Sequence, residues 1–228
     1  MNDVVIDISR IAAIAVVNFF IGAIPFSVIM CWLFLKKDVR TINDGNPGAV
    51  NTFKMGGPVL GWIVLILDLA KAAGPVLAAQ LIFDVKGFAL IPVAIAPVFG
   101  HAFSPFLKGK GGKAIATTFG LWGVMYAWGL FPFEGFAIFF FSNMLLDIIQ
   151  ESNGWTVSLA SLAISAYMIV TRLFIIHPIT DTGIAYIVIA FLNSAVIVYK
   201  HWGALKAPFK LRPWGTKPFS TENGSVHK

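Results

Sequence analysis

The sequence predicts an all-α fold, a polytopic membrane bundle of about seven transmembrane helices with the amino end outside and the carboxyl end in the cytoplasm. Three observations lead there. Hydrophobic residues make up 57% of the 228 residues and charged residues 12%, against roughly a quarter charged in soluble domains. Mean hydropathy is +0.80. The charges that remain are gathered between long apolar runs, and thirteen of the 17 Lys and Arg residues fall in alternate gaps.

At about 20 apolar residues per crossing of a roughly 30 Å core, spans are expected near 8–35, 58–83, 87–106, 114–131, 133–149, 155–176 and 182–200. The first run is too long for a signal-peptide core and has no small-residue cleavage site, so it is kept as a mature span. Pro25 within it reads as a kink, and Cys31, the single cysteine, as a small buried hydrophobe. In the second span Gly57 and Gly61 suggest a close helix contact, and Asp68 with Lys71, three residues apart inside the membrane, suggest a mutual ion pair that braces the bundle. Toward the end of the third stands His101, a residue suited to capping carbonyls or holding the loop. Only "FPFE" separates the fourth span from the fifth, a pattern that a long re-entrant hairpin shares. On the fifth, Ser142, Asn143 and Asp147 are candidates for the bundle interior. The sixth opens on "WTVSLASL", His177 follows in an outside loop, and the seventh leads into "YKHWGALK". Residues 1–206 are thus one membrane domain. Residues 207–228 are a basic, aromatic tail for the membrane interface, its last residues disordered.

Orientation follows from basic loops staying in the cytoplasm. Lys36, Lys37, Arg40 and Lys54 follow the first span, Lys108, Lys110 and Lys113 the third, and the remaining basic cluster lies in the tail. The polar stretches 38–57 and 100–120, the start of the sixth span and the tail therefore converge on one face. The net charge of +6 is accounted for by these loops, and no nucleic-acid partner is expected.

Between residues 100 and 120, "GHAFSPFLKGKGGKAIATTFG", five glycines, three of them within 109–112, stand among three lysines and a histidine. Glycine lets backbone N–H groups approach a ligand and form an anion nest, and a helix starting at about Ala114 would add its positive end. "GKGGK" can thus cradle a phosphate with Lys113 as point charge, or serve as a flexible, positive connector. It is not a P-loop, because Leu107 and Ala114 stand where that motif has Gly and Ser/Thr. In "NDGNPGAVNTFK", the amides of Asn46 and Asn51 can bind hydroxyls and phosphate oxygens, with Asp44 and Lys54 beside them; a capped turn would use the same residues. No H-x-x-x-H or H-E-x-x-H spacing occurs around His101 and His201, and no G-x-S-x-G elbow, so neither a metal, a cofactor nor a serine acyl-enzyme is expected.

Taken together, the two loops resemble the bacterial membrane acyltransferases that move an acyl chain from acyl phosphate to glycerol 3-phosphate. That family's first cytoplasmic motif, D-I-R-x-x-G-S-G-N-x-G-A-T-N-x-x-R, fits "DVRTINDGNPGAVNTFK" from Asp38 to Lys54 without a gap. Its second, G-H-x-x-P-x-F-x-x-F-x-G-G-K-G-V-A-T, fits Gly100 to Thr117, and "GAIPF", "DLAKA" and "SLAS" are smaller likenesses. The resemblance implies a phospholipid-synthesis enzyme of the cell inner membrane. Its head-group site would be lined by Asn46, Asn51, Lys113, Ser158 and His201, with Asp44, Lys54, His101, Gly111 and Gly112 in the same two motifs. Its partners would be acyl phosphate, glycerol 3-phosphate and the lipid bilayer. Among the departures from it, four weaken the transfer of roles: Asp44 replaces a serine, Lys54 an arginine, Ala114 a glycine, and Ala204 an asparagine after His201.

The departures have physical consequences. A carboxylate at position 44 repels a dianionic substrate unless Lys54 or another cation neutralises it, and lysine lacks arginine's two-pronged grip on phosphate. A divergent paralogue with another polar acceptor fits the same residues. A small-solute or phosphate transporter is a further alternative, although no internal repeat is visible. Acyl phosphate is already activated, so the protein must chiefly position the acceptor hydroxyl and supply positive charge for two phosphates. The base would be a substrate phosphate oxygen, with His201 as the protein alternative.

Overall fold

A computed structural model of the protein describes residues 2–127, 137, 141–142, 153–174, 180–206 and 208–211. The described elements are helical: α1 (Asn2–Ala23), α2 (Phe26–Leu35), α3 (Ala49–Leu81), α4 (Leu90–Ala102), α5 (Ile115–Ala127), α6 (Asn153–Phe174), α7 (Asp181–Lys200) and the short α8 (Trp202–Leu205). Among the described residues, five stretches are long and apolar enough to cross a membrane: Asp7–Leu35, Ala49–Leu81, Gly87–Leu107, Gly154–Thr171 and Asp181–Lys200. The apolar part of α5, Ile115–Met125, is shorter. The expected fifth span, with Asn143 and Asp147, lies outside the described residues except at 137 and 141–142. His177 and the tail beyond 211 lie outside them too.

The first apolar run is two helices, because Pro25 has no N–H to continue the ladder. The carbonyls freed at the break find side-chain donors elsewhere in the bundle: Ser104 Oγ, just beyond α4, donates to Ala23 O at 2.6 Å and Lys71 Nζ on α3 to Ile24 O at 2.8 Å. α3 begins nine residues earlier than the apolar pattern suggests, since the stretch 49–56 is already helical. The expectation of a close helix contact at both Gly57 and Gly61 is corrected. Gly57 has φ 77° and open space around it, so it marks a break before Pro58; Gly61 seats the Phe53 ring from its own helix.

Close packing of helices occurs instead where α1 crosses α4. A methyl group on Gly22 would collide with the Pro97 carbonyl, and one on Gly100 with the Phe19 carbonyl. Small residues let the backbones touch there, which is how helices gain contact area when lipid is as apolar as their own side chains. The main core gathers Leu90, Val93, Leu121, Trp122, Met125, Ile164, Tyr186 and Ile189, from α4, α5, α6 and α7, all fully buried. At one end of the bundle the Gly87 N–H donates to Thr182 Oγ1 at 3.1 Å. At the other end the start of α3, the end of α4 and the end of α7 come together, and the polar motifs meet there.

Candidate functional site

The turn before α3 is built by its own side chains. Asp38 accepts from the Arg40 N–H at 2.9 Å and from Arg40 Nη2 at 2.6 Å, fixing the single helical turn Val39–Thr41. Asn43 and Gly45 follow with φ 52° and 69°, the left-handed region that Asn and Gly tolerate. Asn51, 1% exposed on the first turn of α3, closes the loop from below. Its Nδ2 donates to Asp44 Oδ1 and to the Asn46 carbonyl, both at 2.9 Å, and its Oδ1 accepts from Asn43 Nδ2 at 3.0 Å. Asn51 therefore organises the turn, and its amide hydrogens are spent inside it.

Asp44 is held by a partner that the sequence order does not suggest. Lys113 Nζ lies 2.9 Å from Asp44 Oδ2, joining the first motif to the second. Lys54 is exposed on α3 and makes no ion pair among the described residues, so a neutralising Asp44–Lys54 pair is not formed. Burial acts to raise the Asp44 pKa, but the bonds from Lys113, Asn51 and the Asn46 N–H together outweigh it and leave it below the ordinary carboxylate value.

The glycine pair in "GKGGK" is explained by close approach to α4. A methyl group on Gly111 would strike the His101 carbonyl, and one on Gly112 the His101 ring at Nε2. The Gly112 N–H donates to the His101 carbonyl at 3.0 Å, so the expected anion nest has lost one of its donors to the protein. The left-handed residues of the loop are instead Lys108, Gly109 and Ala114, at φ 54°, 77° and 63°. α5 starts immediately after Ala114, two residues beyond Lys113.

Two cavities lie on either side of this loop. Outside it, an open cleft of about 340 Å³ is lined by Asp44, Asn46, Lys110, Gly111, Lys113 and Lys200, among others. That volume is in the range of small-ligand sites. Inside it, a chamber of about 10 Å³, room for one water, is lined by Asp68, Lys71, His101, Ser104 and Gly112. Lys71 Nζ is 2.8 Å from Asp68 Oδ1, as the spacing suggests, and His101 Nδ1 is 3.9 Å from the same oxygen. His101 thus faces the chamber and supports the loop from behind; it does not line the cleft.

His201, 4% exposed, caps α7 and places Nδ1 2.8 Å from the Ile197 carbonyl. A carbonyl only accepts, so Nδ1 carries the proton and Nε2 of the neutral ring has the lone pair. Burial lowers the His201 pKa, the Ile197 bond raises it, and Lys113 and Lys200 lower it further, with Asp44 opposing; the net direction is down. The same charges place His201 within electrostatic reach of the cleft. Ser158 is buried on α6 with no hydrogen-bond partner for its Oγ among the described residues, and it does not line the cleft.

The structure thus brings Asp44, Asn46, Gly111 and Lys113 into one cleft, with Asn51 beneath and His201 nearby. Lys54, His101, Gly112 and Ser158 stand outside it. Sequence reasoning missed Lys200, which it counted only as an orienting charge; the signal available was its place one residue before His201.

A family model described as glycerol-3-phosphate acyltransferase matches residues 12–210. Glycerol-3-phosphate acyltransferase 1 of Thermotoga maritima is 32% identical over 194 residues, covering 81% of this chain and 91% of its own. The glycerol-3-phosphate acyltransferase of Lactiplantibacillus plantarum is 32% identical over 192 residues, covering 84% and 85%. Among solved structures, PlsY (YgiH), an integral membrane glycerol 3-phosphate acyltransferase in its glycerol 3-phosphate form, shares the fold. The TM-score is 0.69 and the identity 23%, over 86% of this chain and 90% of that one. The lysophosphatidic acid form of PlsY aligns with a TM-score of 0.67.

Proposed function

The chain belongs to the glycerol-3-phosphate acyltransferase family, and from that premise we propose that it transfers an acyl chain from acyl phosphate to the 1-hydroxyl of glycerol 3-phosphate, giving lysophosphatidate. The observation that carries the reading at residue level is the cleft in which Lys113 and Asp44 join the two polar motifs. A phosphate entering there meets Lys113 and takes over its charge from the carboxylate. Asn46, Lys110 and Gly111 complete a wall that suits a phosphorylated head group. The acyl tail would lie against the apolar flank of the bundle, in contact with lipid.

In the transfer, the acceptor oxygen bonds to the acyl carbonyl carbon as the bond from that carbon to the phosphate oxygen breaks. Inorganic phosphate leaves with the bonding electrons. The hydroxyl proton passes to a phosphate oxygen, whose second pKa lies near 6, or to the Nε2 lone pair of His201. The protein's share is to align the two reactants and balance their charge. We place the cleft on the cytoplasmic face of the cell inner membrane, in a bundle of seven spans.

The test is a donor panel. Purified protein should form lysophosphatidate from acyl phosphate and glycerol 3-phosphate, and chelators should leave the rate unchanged. Turnover with acyl-CoA alone would move the chain to another acyltransferase class.

A further inference from the structure

We propose that Lys200 is a second phosphate-binding cation of the cleft, holding the glycine loop with two of its N–H groups and offering the third to a substrate phosphate. This rests on the acyl-transfer reading and extends it to the last residue of α7. Lys200 Nζ donates to the Ala102 carbonyl at the end of α4 and to the Gly111 carbonyl in the loop, both at 2.9 Å. It also sits 5.6 Å from the centre of the Phe103 ring. An ammonium group has three donors. Two are satisfied by neutral carbonyls, and no described carboxylate pairs with it, whereas Lys113 has Asp44 and Lys71 has Asp68.

Lys200 is therefore a half-buried cation whose charge nothing described on the protein offsets, and it lines the cleft. Partners that fix its position without neutralising it leave the full charge for an anion. The reaction also calls for a second cation. Acyl phosphate and glycerol 3-phosphate must lie side by side, and their phosphates repel one another. Lys113 serves one of them only after leaving Asp44. Lys110, the remaining cation on the cleft wall, is exposed to solvent, where attraction to phosphate is screened. Phe103 further shields Lys200 from water.

The test compares Lys200→Gln, which keeps a donor for the carbonyls but no charge, with Lys200→Arg, which keeps the charge. Each is titrated in detergent with glycerol 3-phosphate and with a long-chain acyl phosphonate that cannot be transferred, and folding is followed by thermal unfolding. The expectation is a loss of at least about tenfold in affinity for one of the two ligands in Lys200→Gln, the usual worth of a charge-assisted bond, and less than about threefold in Lys200→Arg. The ligand affected identifies the phosphate. Wild-type affinity in folded Lys200→Gln, or equal losses in both variants, would overturn the proposal and leave Lys200 as a loop fastener. Should Lys200→Gln not fold, Lys200→Arg decides: near-wild-type binding supports the charge role, and a tenfold loss refutes it. Binding that follows this pattern in a protein without turnover would remove the acyl-transfer reading and leave the phosphate site standing.

Discussion

At Asp44 two demands conflict, since a site for phosphate here contains a carboxylate. The ion pair with Lys113 is 41% and 36% exposed at its two side chains, and pairs of that exposure contribute roughly 0.2–1 kcal/mol. A phosphate that takes Lys113 must first displace Asp44. Asp44→Ser should therefore tighten glycerol 3-phosphate binding by up to about fivefold, measured as KM, while Lys54→Ala should change it little. Lys113→Ala should lower kcat/KM by roughly 10- to 150-fold, the loss of a charge-assisted bond of about 1.5–3 kcal/mol, and Lys108→Ala, outside the cleft, should not. The pH dependence follows from the same groups. Because the Asp44 pKa is lowered, the pair's contribution is complete above the ordinary carboxylate value and is lost only as pH falls through the still lower folded value. Between pH 5 and 8, Asp44→Ser should shift the height of the kcat/KM profile and leave its shape, which the phosphates and His201 set. His201, lowered below 6.5, favours the folded state when neutral, and that contribution shrinks as pH drops below 6.5. The candidate residues of this cleft were largely readable from the two motifs, but their pairing was not. Lys113 is far from Asp44 along the chain, and only the fold makes it nearer than Lys54.

Among the elements, the loop between α4 and α5 is shaped by close contact and by backbone handedness. Gly112 lies against His101, which is itself buried beside Asp68, so the ring has no room to yield. Gly112→Ala should lower both the melting temperature and kcat/KM, as the loop that carries Lys113 moves away from Asp44. Ala114 presents the opposite case. It is 1% exposed with φ 63°, a conformation costing a residue with a side chain about 1–2 kcal/mol, where the family pattern has glycine. Removing its methyl forfeits about 0.8 kcal/mol of burial, so Ala114→Gly should be neutral or stabilise by about 1 kcal/mol in thermal unfolding. A clear drop in melting temperature would contradict this. The glycines were visible in the sequence, but their reason was not: which N–H groups are consumed depends on the end of α4. The break at Pro25 could be read directly, because the missing donor is a property of proline itself. The early start of α3 could not, since Asn51, Thr52 and Lys54 look like loop residues until Asn51 and Thr52 are seen turned inward and buried.

For the whole molecule, the arrangement of helix ends constrains how it sits in the bilayer. Asp44 with Lys113, and Lys200 with Gly111, tie three separate polar segments together at one end; Gly87 with Thr182 marks the other end. Those end contacts are what an alternating path through a membrane produces. The segments at the first end carry most of the basic residues, which favours the cytoplasm for that side. Cys31 is the only cysteine and is fully buried beside Thr52, so a cysteine introduced elsewhere should be the one that a membrane-impermeant thiol reagent reports. Asn43 is exposed in the turn before α3, and Thr180 is exposed at the start of α7. In intact cells Thr180→Cys should label and Asn43→Cys should not. After permeabilisation both should label, as should Gly215→Cys in the tail. Labelling of positions 43 and 180 from the same side would defeat the alternating path, and labelling of 43 alone in intact cells would keep the path but invert it, putting the cleft outside the cell and away from cytoplasmic acyl phosphate.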